Sequence, residues 1–138
     1  MNTLKTAVLV FLLEFAALLA HAQGIAVIGH AALPKLDVVT LQKLYTGKIV
    51  QVDGQATTVI HLPPGNPLRD RFLATFLNQS EEKYTAYWTV RRFIGKGTPP
   101  QELTSNAAII EFVQTHPGAI AYIDATEIKA GMNVLHKK

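Results

Sequence analysis

The residues best suited to chemistry in this 138-residue chain lie between Ile60 and Phe72. His61 precedes a Pro63-Pro64-Gly65 break, Asn66-Pro67 follows it, and Arg69 and Arg71 stand within the next turn. Asn at a cap with Pro at the first helical position predicts a helix start. Such a start exposes free amides and about half a positive charge, which attracts anions. The spacing therefore points to an oxyanion or carboxylate site formed by His61, Gly65, Asn66, Leu68 and Arg69. Arg69 or His61 would be the counter-charge, and the Leu68 and Arg69 amides the donors. A plainer reading stands beside it: Asn66 caps its own helix, the arginines lie on a solvated face, and Pro67 brings no N–H.

Other chemistries find less support. Gly95-Lys96-Gly97-Thr98 resembles the end of a phosphate-binding loop, but Val90 stands where that pattern needs glycine and Gly97 where it needs Ser or Thr. His30, His61, His116 and His136 show no i, i+4 pair and no cysteine assists them, so no metal site and no cofactor are expected. Ser80 or Ser105 could be combined with His61 and Asp70, yet no G-x-S-x-G elbow is present. A non-enzymatic protein is the expectation. Arg91-Arg92 beside Trp88 and Phe93 is too small a basic surface for a polyanion, which argues against nucleic acid. At helical spacing Trp88 and Tyr84 belong to a core, with the arginines snorkelling at its rim.

The composition sets the frame for these residues. With 49% hydrophobic and 17% charged residues the chain is too apolar for a disordered protein, and its length suits one domain. The absence of cysteine excludes disulfides, thiolate metal sites and a Cys nucleophile. Lys5, the apolar run Ala7 to Ala20 and the Ala20-His21-Ala22 end have the layout of a secretory signal peptide over residues 1–22, cleaved after Ala22. The run is short for a membrane span and carries Glu14, so the expected location is periplasmic, with 23–138 as one mature domain. Lys5 and Glu14 would leave together, which keeps the net charge at +3.

The elements that must position the site alternate. Gly24 to Gly29 is an apolar run expected as a strand buried on both faces. Asp37 caps a helix with Val38, Leu41, Leu44 and Tyr45 inward and Gly47 at its end. Asp53-Gly54 is a turn, and Thr57 to Leu62 a β-branched strand. After the break, Leu68, Phe72, Leu73, Phe76 and Leu77 form a helical stripe. Ser80 caps a second helix facing inward with Tyr84, Tyr87 and Trp88, and Phe93 as a further candidate. A loop from Gly95 to Pro100 leads to a helix capped at Thr104 or Ser105, with Ala108, Ile109, Phe112 and Val113 inward. His116-Pro117-Gly118 ends it, Ala119 to Ile123 is a strand, and Met132 to Leu135 an edge strand. Strands separated by helices predict an α/β or α+β layered domain.

Several of these segments together resemble the periplasmic phosphate-binding proteins of phosphate ABC transporters. Leu44-Tyr45-Thr46-Gly47-Lys48-Ile49 is similar to that family's aromatic-x-Gly-Lys-hydrophobic turn, and Val59 to Phe72 to its strand, anion loop and helix. Trp88 with Phe93-x-Gly95-x-Gly97-x-Pro99-Pro100 resembles the family's small-protein branch, and Pro117-Gly118-Ala119-Ile120-Ala121-Tyr122-Ile123 its Pro-Gly-Ala-Ile-Gly-Tyr-Val strand. The resemblance spans residues 24 to 123. It implies an α/β fold of the type II periplasmic-binding-protein kind: a single-lobe, three-layer domain with a mixed sheet flanked by helices. It also implies a solute-binding function with phosphate or another small anion as ligand and a membrane transporter as partner.

The sequence departs from that family at the ligand loop. Gly65-Asn66-Pro67-Leu68 stands where the family has Gly-Ser-Gly-Thr, and Leu62 where it has an arginine. Two hydroxyls and one amide are absent. Hydrogen bonds to a charged group are worth about 1.5–3 kcal/mol each, so weak binding is expected. The alternative is a module that keeps the scaffold and docks on a periplasmic protein partner or pairs with itself.

Overall fold

The computed structural model describes residues 24–138. The expected leader, residues 1–22 with cleavage after Ala22, lies outside the described residues. The elements begin with β1 (Ile25–Gly29), α1 (Val38–Tyr45) and the short strands β2 (Gln51–Val52) and β3 (Gln55–Ala56). β4 (Thr58–His61) leads into α2 (Pro67–Phe72), which continues as a π-helical turn over Leu73–Leu77. Next come α3 (Glu81–Phe93), β5 (Gln101–Glu102), α4 (Asn106–Thr115), β6 (Ala119–Asp124) and β7 (Asn133–Lys137).

One mixed sheet runs in the order β5-β4-β6-β1-β7. β1 is antiparallel to both β6 and β7, whereas β4 is parallel to β5 and β6. All five residues of β1 and the first five of β6 are buried, as expected of strands covered on both faces. The α/β class and the mixed sheet flanked by helices are therefore those the sequence implied. Gly29 leaves room for Leu135 of β7, since a Cβ there would lie 2.5 Å from a methyl of Leu135 and the leucine would have to shift.

Local chemistry starts each helix as read. Asp37, Asn66, Ser80 and Ser105 accept from Thr40, Leu68, Lys83 and Ala108 amides at the four helix N-termini. The stripe Leu68, Phe72, Leu73, Phe76 and Leu77 is buried throughout. Phe72 stacks on Tyr122 of β6 at 4.0 Å between centroids and 5° between planes, which docks α2 on the sheet.

Three features differ from the sequence expectation. Asp53-Gly54 does make the turn, with φ of 48° and 79°, but it also closes a hairpin between β2 and β3. A two-residue strand, β5, follows the proline loop and pairs Ile60 with Gln101 and His61 with Glu102. Phe93 is 93% exposed, because at the last turn of α3 it stands off the stripe that buries Tyr84 and Trp88. Val90 and Ile94 are exposed beside it in the chain.

Candidate functional site

The parallel pairing of β4 with β5 sets the site, because it carries Glu102 to the level of His61. The break at Pro63-Pro64 then turns the chain into α2. Arg69 is in register with the buried stripe: Phe72, Leu73 and Phe76 follow it at three, four and seven residues. Its side chain is accordingly carried inward, and only 4% of the residue is exposed.

A buried guanidinium needs acceptors. Arg69 Nε and Nη2 donate to the two carboxylate oxygens of Glu81, each at 2.7 Å, in a bidentate pair. Nη1 donates to the Leu62 carbonyl at 2.8 Å and to Glu102 Oε1 at 3.2 Å. The guanidinium also stands 5.6 Å from the Tyr84 ring centroid. Burial alone would discourage its charge, but the hydrogen-bonded Glu81 carboxylate, with Glu102 further off, outweighs burial and raises its pKa. Burial likewise works to raise the Glu81 pKa, but hydrogen bonds from Arg69 and Thr85 lower it, so both partners stay charged.

His61 lies close by with the opposite outcome. It is 1% exposed and ringed edge-on by Tyr45, Phe72, Tyr84 and Tyr122, with centroids 5.3–5.8 Å away. Burial first, and then the Arg69 charge, lower its pKa to about 2, so the imidazole is neutral. Nδ1 is hydrogen-bonded to the Tyr122 hydroxyl, which also accepts from the Leu62 amide at 3.2 Å. Since burial raises the Tyr122 pKa, that hydroxyl keeps its proton. With the amide as its donor, the hydroxyl hydrogen is assigned to Nδ1, which places the imidazole proton on Nε2. Nε2 is buried and has no partner among the described residues.

Of the remaining candidates, Gly65 and Asn66 sit at the surface turn, while the Leu68 side chain is buried in the stripe. Gly65 has φ of 90° and open space around it. The Asn66 side chain accepts from the Leu68 amide at 2.9 Å, so that donor serves the cap. Asp70 stands in the first turn of α2, and Arg71 reaches Asp124 at 3.0 Å. Of the five residues, His61 and Arg69 are brought together inside the molecule, while Gly65 and Asn66 remain at the turn outside. Glu81 and Glu102 were not among the candidates from sequence. The signal for them was Arg69 on an apolar stripe, a position where a guanidinium needs acceptors from elsewhere in the chain. No group of His, Asp and Glu among the described residues could hold a metal ion, and no helix there is long and apolar enough to cross a membrane.

No protein-family model and no curated protein matches this sequence. Solved structures do. A phosphate ABC transporter substrate-binding protein from Clostridium perfringens, with bound phosphate, matches with a TM-score of 0.62 at 23% identity, over 81% of this chain and 44% of that one. An ABC-type phosphate transport receptor from Vibrio cholerae matches with a TM-score of 0.63 at 13% identity, over 82% of this chain and 45% of that one. The chain thus spans under half the length of either structure. At these identities the likeness is one of fold: about four-fifths of this chain shares the architecture of a part of these two structures.

Proposed function

We propose that this chain is a non-enzymatic, solute-binding-like protein that takes a small anion weakly, with phosphate as the first ligand to test. It would act in the periplasm after loss of residues 1–22, delivering to or docking on a membrane transporter. The observation that carries this reading is the buried Arg69 guanidinium beside the ends of parallel strands β4 and β5, on a fold shared with phosphate binders. Open α/β sheets bind ligands at the carboxyl ends of their strands. Weakness follows from the same geometry. Glu81 and Glu102 already occupy most of the guanidinium, and the Leu68 amide is engaged by Asn66.

Calorimetric titration of the protein with phosphate at low salt, with sulfate and chloride as controls, tests it. Saturable binding in the millimolar range, with matching thermal stabilisation, is expected. No phosphate-specific heat or stabilisation at that concentration overturns phosphate as the ligand, and no saturable binding of any small anion overturns the anion-binding reading. A second reading, a scaffold that docks on a protein, is favoured by Phe93, Val90 and Ile94 on the surface. The neighbouring Arg92 and Lys96 fit that patch to an acidic partner surface.

A further inference from the structure

A cleft of about 180 Å³ opens between α3 and the Pro99–Glu102 segment, beside the buried guanidinium. Arg69 lies at its base, Thr85, Trp88 and Arg92 line it from α3, and Pro99 and Glu102 line it from the other side. We propose that this cleft is a binding site for a small monocarboxylate with a short apolar body, and that Glu102 is a tethered carboxylate that a ligand displaces from Arg69. The proposal rests on the solute-binding reading and names a site and a ligand class for it.

The two carboxylates on Arg69 are not equivalent. Glu81 holds it through two contacts of 2.7 Å. Glu102 makes one contact at 3.2 Å, long for a charge-assisted hydrogen bond, and its side chain is 46% exposed. It stands on a strand of two residues. Glu102 is therefore the partner that solvent and a competing ion can replace. Its oxygen marks where a ligand carboxylate would accept from Nη1. Nη2 adds one N–H, since only one of its two hydrogens has an acceptor among the described residues.

Charge then selects the ligand. The Arg92 side chain lines the cleft with no hydrogen bond or ion pair among the described residues. With Glu102 swung out, two guanidiniums face one fixed carboxylate, Glu81, which leaves a single positive charge to neutralise. A monoanion meets that demand, whereas a phosphate dianion brings a second charge beside Glu81. Trp88 and Pro99 in the lining give the cleft an apolar part that suits a short hydrocarbon or aromatic body.

The test is an NMR titration of the protein and of its Glu102→Gln and Arg92→Ala variants with propionate, benzoate and phosphate. Both substitutions are at exposed side chains and spare the Arg69–Glu81 pair, and thermal melts check that the fold is kept. Propionate and benzoate should shift the Thr85, Thr89 and Arg92 amides. Their affinity should rise about tenfold in Glu102→Gln and fall about tenfold in Arg92→Ala, with phosphate gaining less than either. Unchanged carboxylate affinity in Glu102→Gln, an equal gain for phosphate, or shifts confined to Gly65–Leu68 overturns the proposal. If phosphate still binds the unmodified protein in those cases, the solute-binding reading survives alone. If no anion binds any of the three proteins, both fail.

Discussion

His61 and Arg69 are both cationic residue types, both nearly excluded from solvent, and close enough that the charge of one depresses the pKa of the other. One is neutral and the other charged. The difference lies in what surrounds each. Four aromatic rings enclose His61 and no carboxylate pairs with it among the described residues, so burial removes its charge. Arg69 meets a bidentate carboxylate, a second carboxylate and a carbonyl, so its charge survives the same burial. Inside a protein a cation is kept only where oxygen atoms take over the role of water. A site residue read from its type alone therefore needs its acceptors counted before it is given a charge.

Arg69→Met breaks the comparison most severely. It leaves Glu81, a partly buried carboxylate, with the Thr85 hydroxyl in place of the guanidinium; since loss of one partner of a fully buried pair costs about 3–5 kcal/mol, a loss of about 3 kcal/mol or less is expected. Equilibrium urea unfolding at neutral pH should show that loss. Arg69→Met combined with Glu81→Met should recover part of it, since the stranded charge is removed as well. A single variant as stable as the parent would mean that the pair contributes nothing.

The neutral partner is probed by pH. The unfolded chain protonates His61 near its ordinary value of 6.5, while the folded protein resists until about 2. Below 6.5 the unfolded state binds the extra proton, so stability present above that pH is lost as pH falls. The slope approaches about 1.4 kcal/mol per pH unit for one proton. Urea unfolding at stepped pH between neutrality and the range where carboxylates titrate should show this slope. In His61→Leu it should be flattened. The smallest effect belongs to Glu102→Gln, whose exposed contact should change stability by less than about 1 kcal/mol in the same unfolding measurement.

Much of the fold was legible because its signals are local. Asp37, Asn66, Ser80 and Ser105 each cap within three residues of themselves, and the runs at Ile25 and Ala119 need only hydrophobicity to declare a buried strand. The candidate site was legible in part. Arg69 was found, but its partners lie 12 and 33 residues away and are delivered by tertiary pairing, Glu102 through a strand too short to leave a pattern. Between Arg69 and His61 as counter-charge the sequence does not choose, because a strand residue's burial depends on what covers the sheet, which here is α2 and the aromatic residues of its neighbours. Phe93 is a candidate for the inner face on sequence because the helical period extends past the point where the core ends.

The placement of β1 has a consequence for the order of assembly. It sits between β6 and β7, and its first amide donates to the carbonyl of Lys138 at 2.8 Å. During synthesis, the first of these strands to emerge must therefore wait for β6 until the chain has been made through Asp124, and for β7 until it has been made through Lys138. Closure of that long loop precedes the contacts that reward it, which slows folding and leaves an apolar segment open to chaperones in the interval.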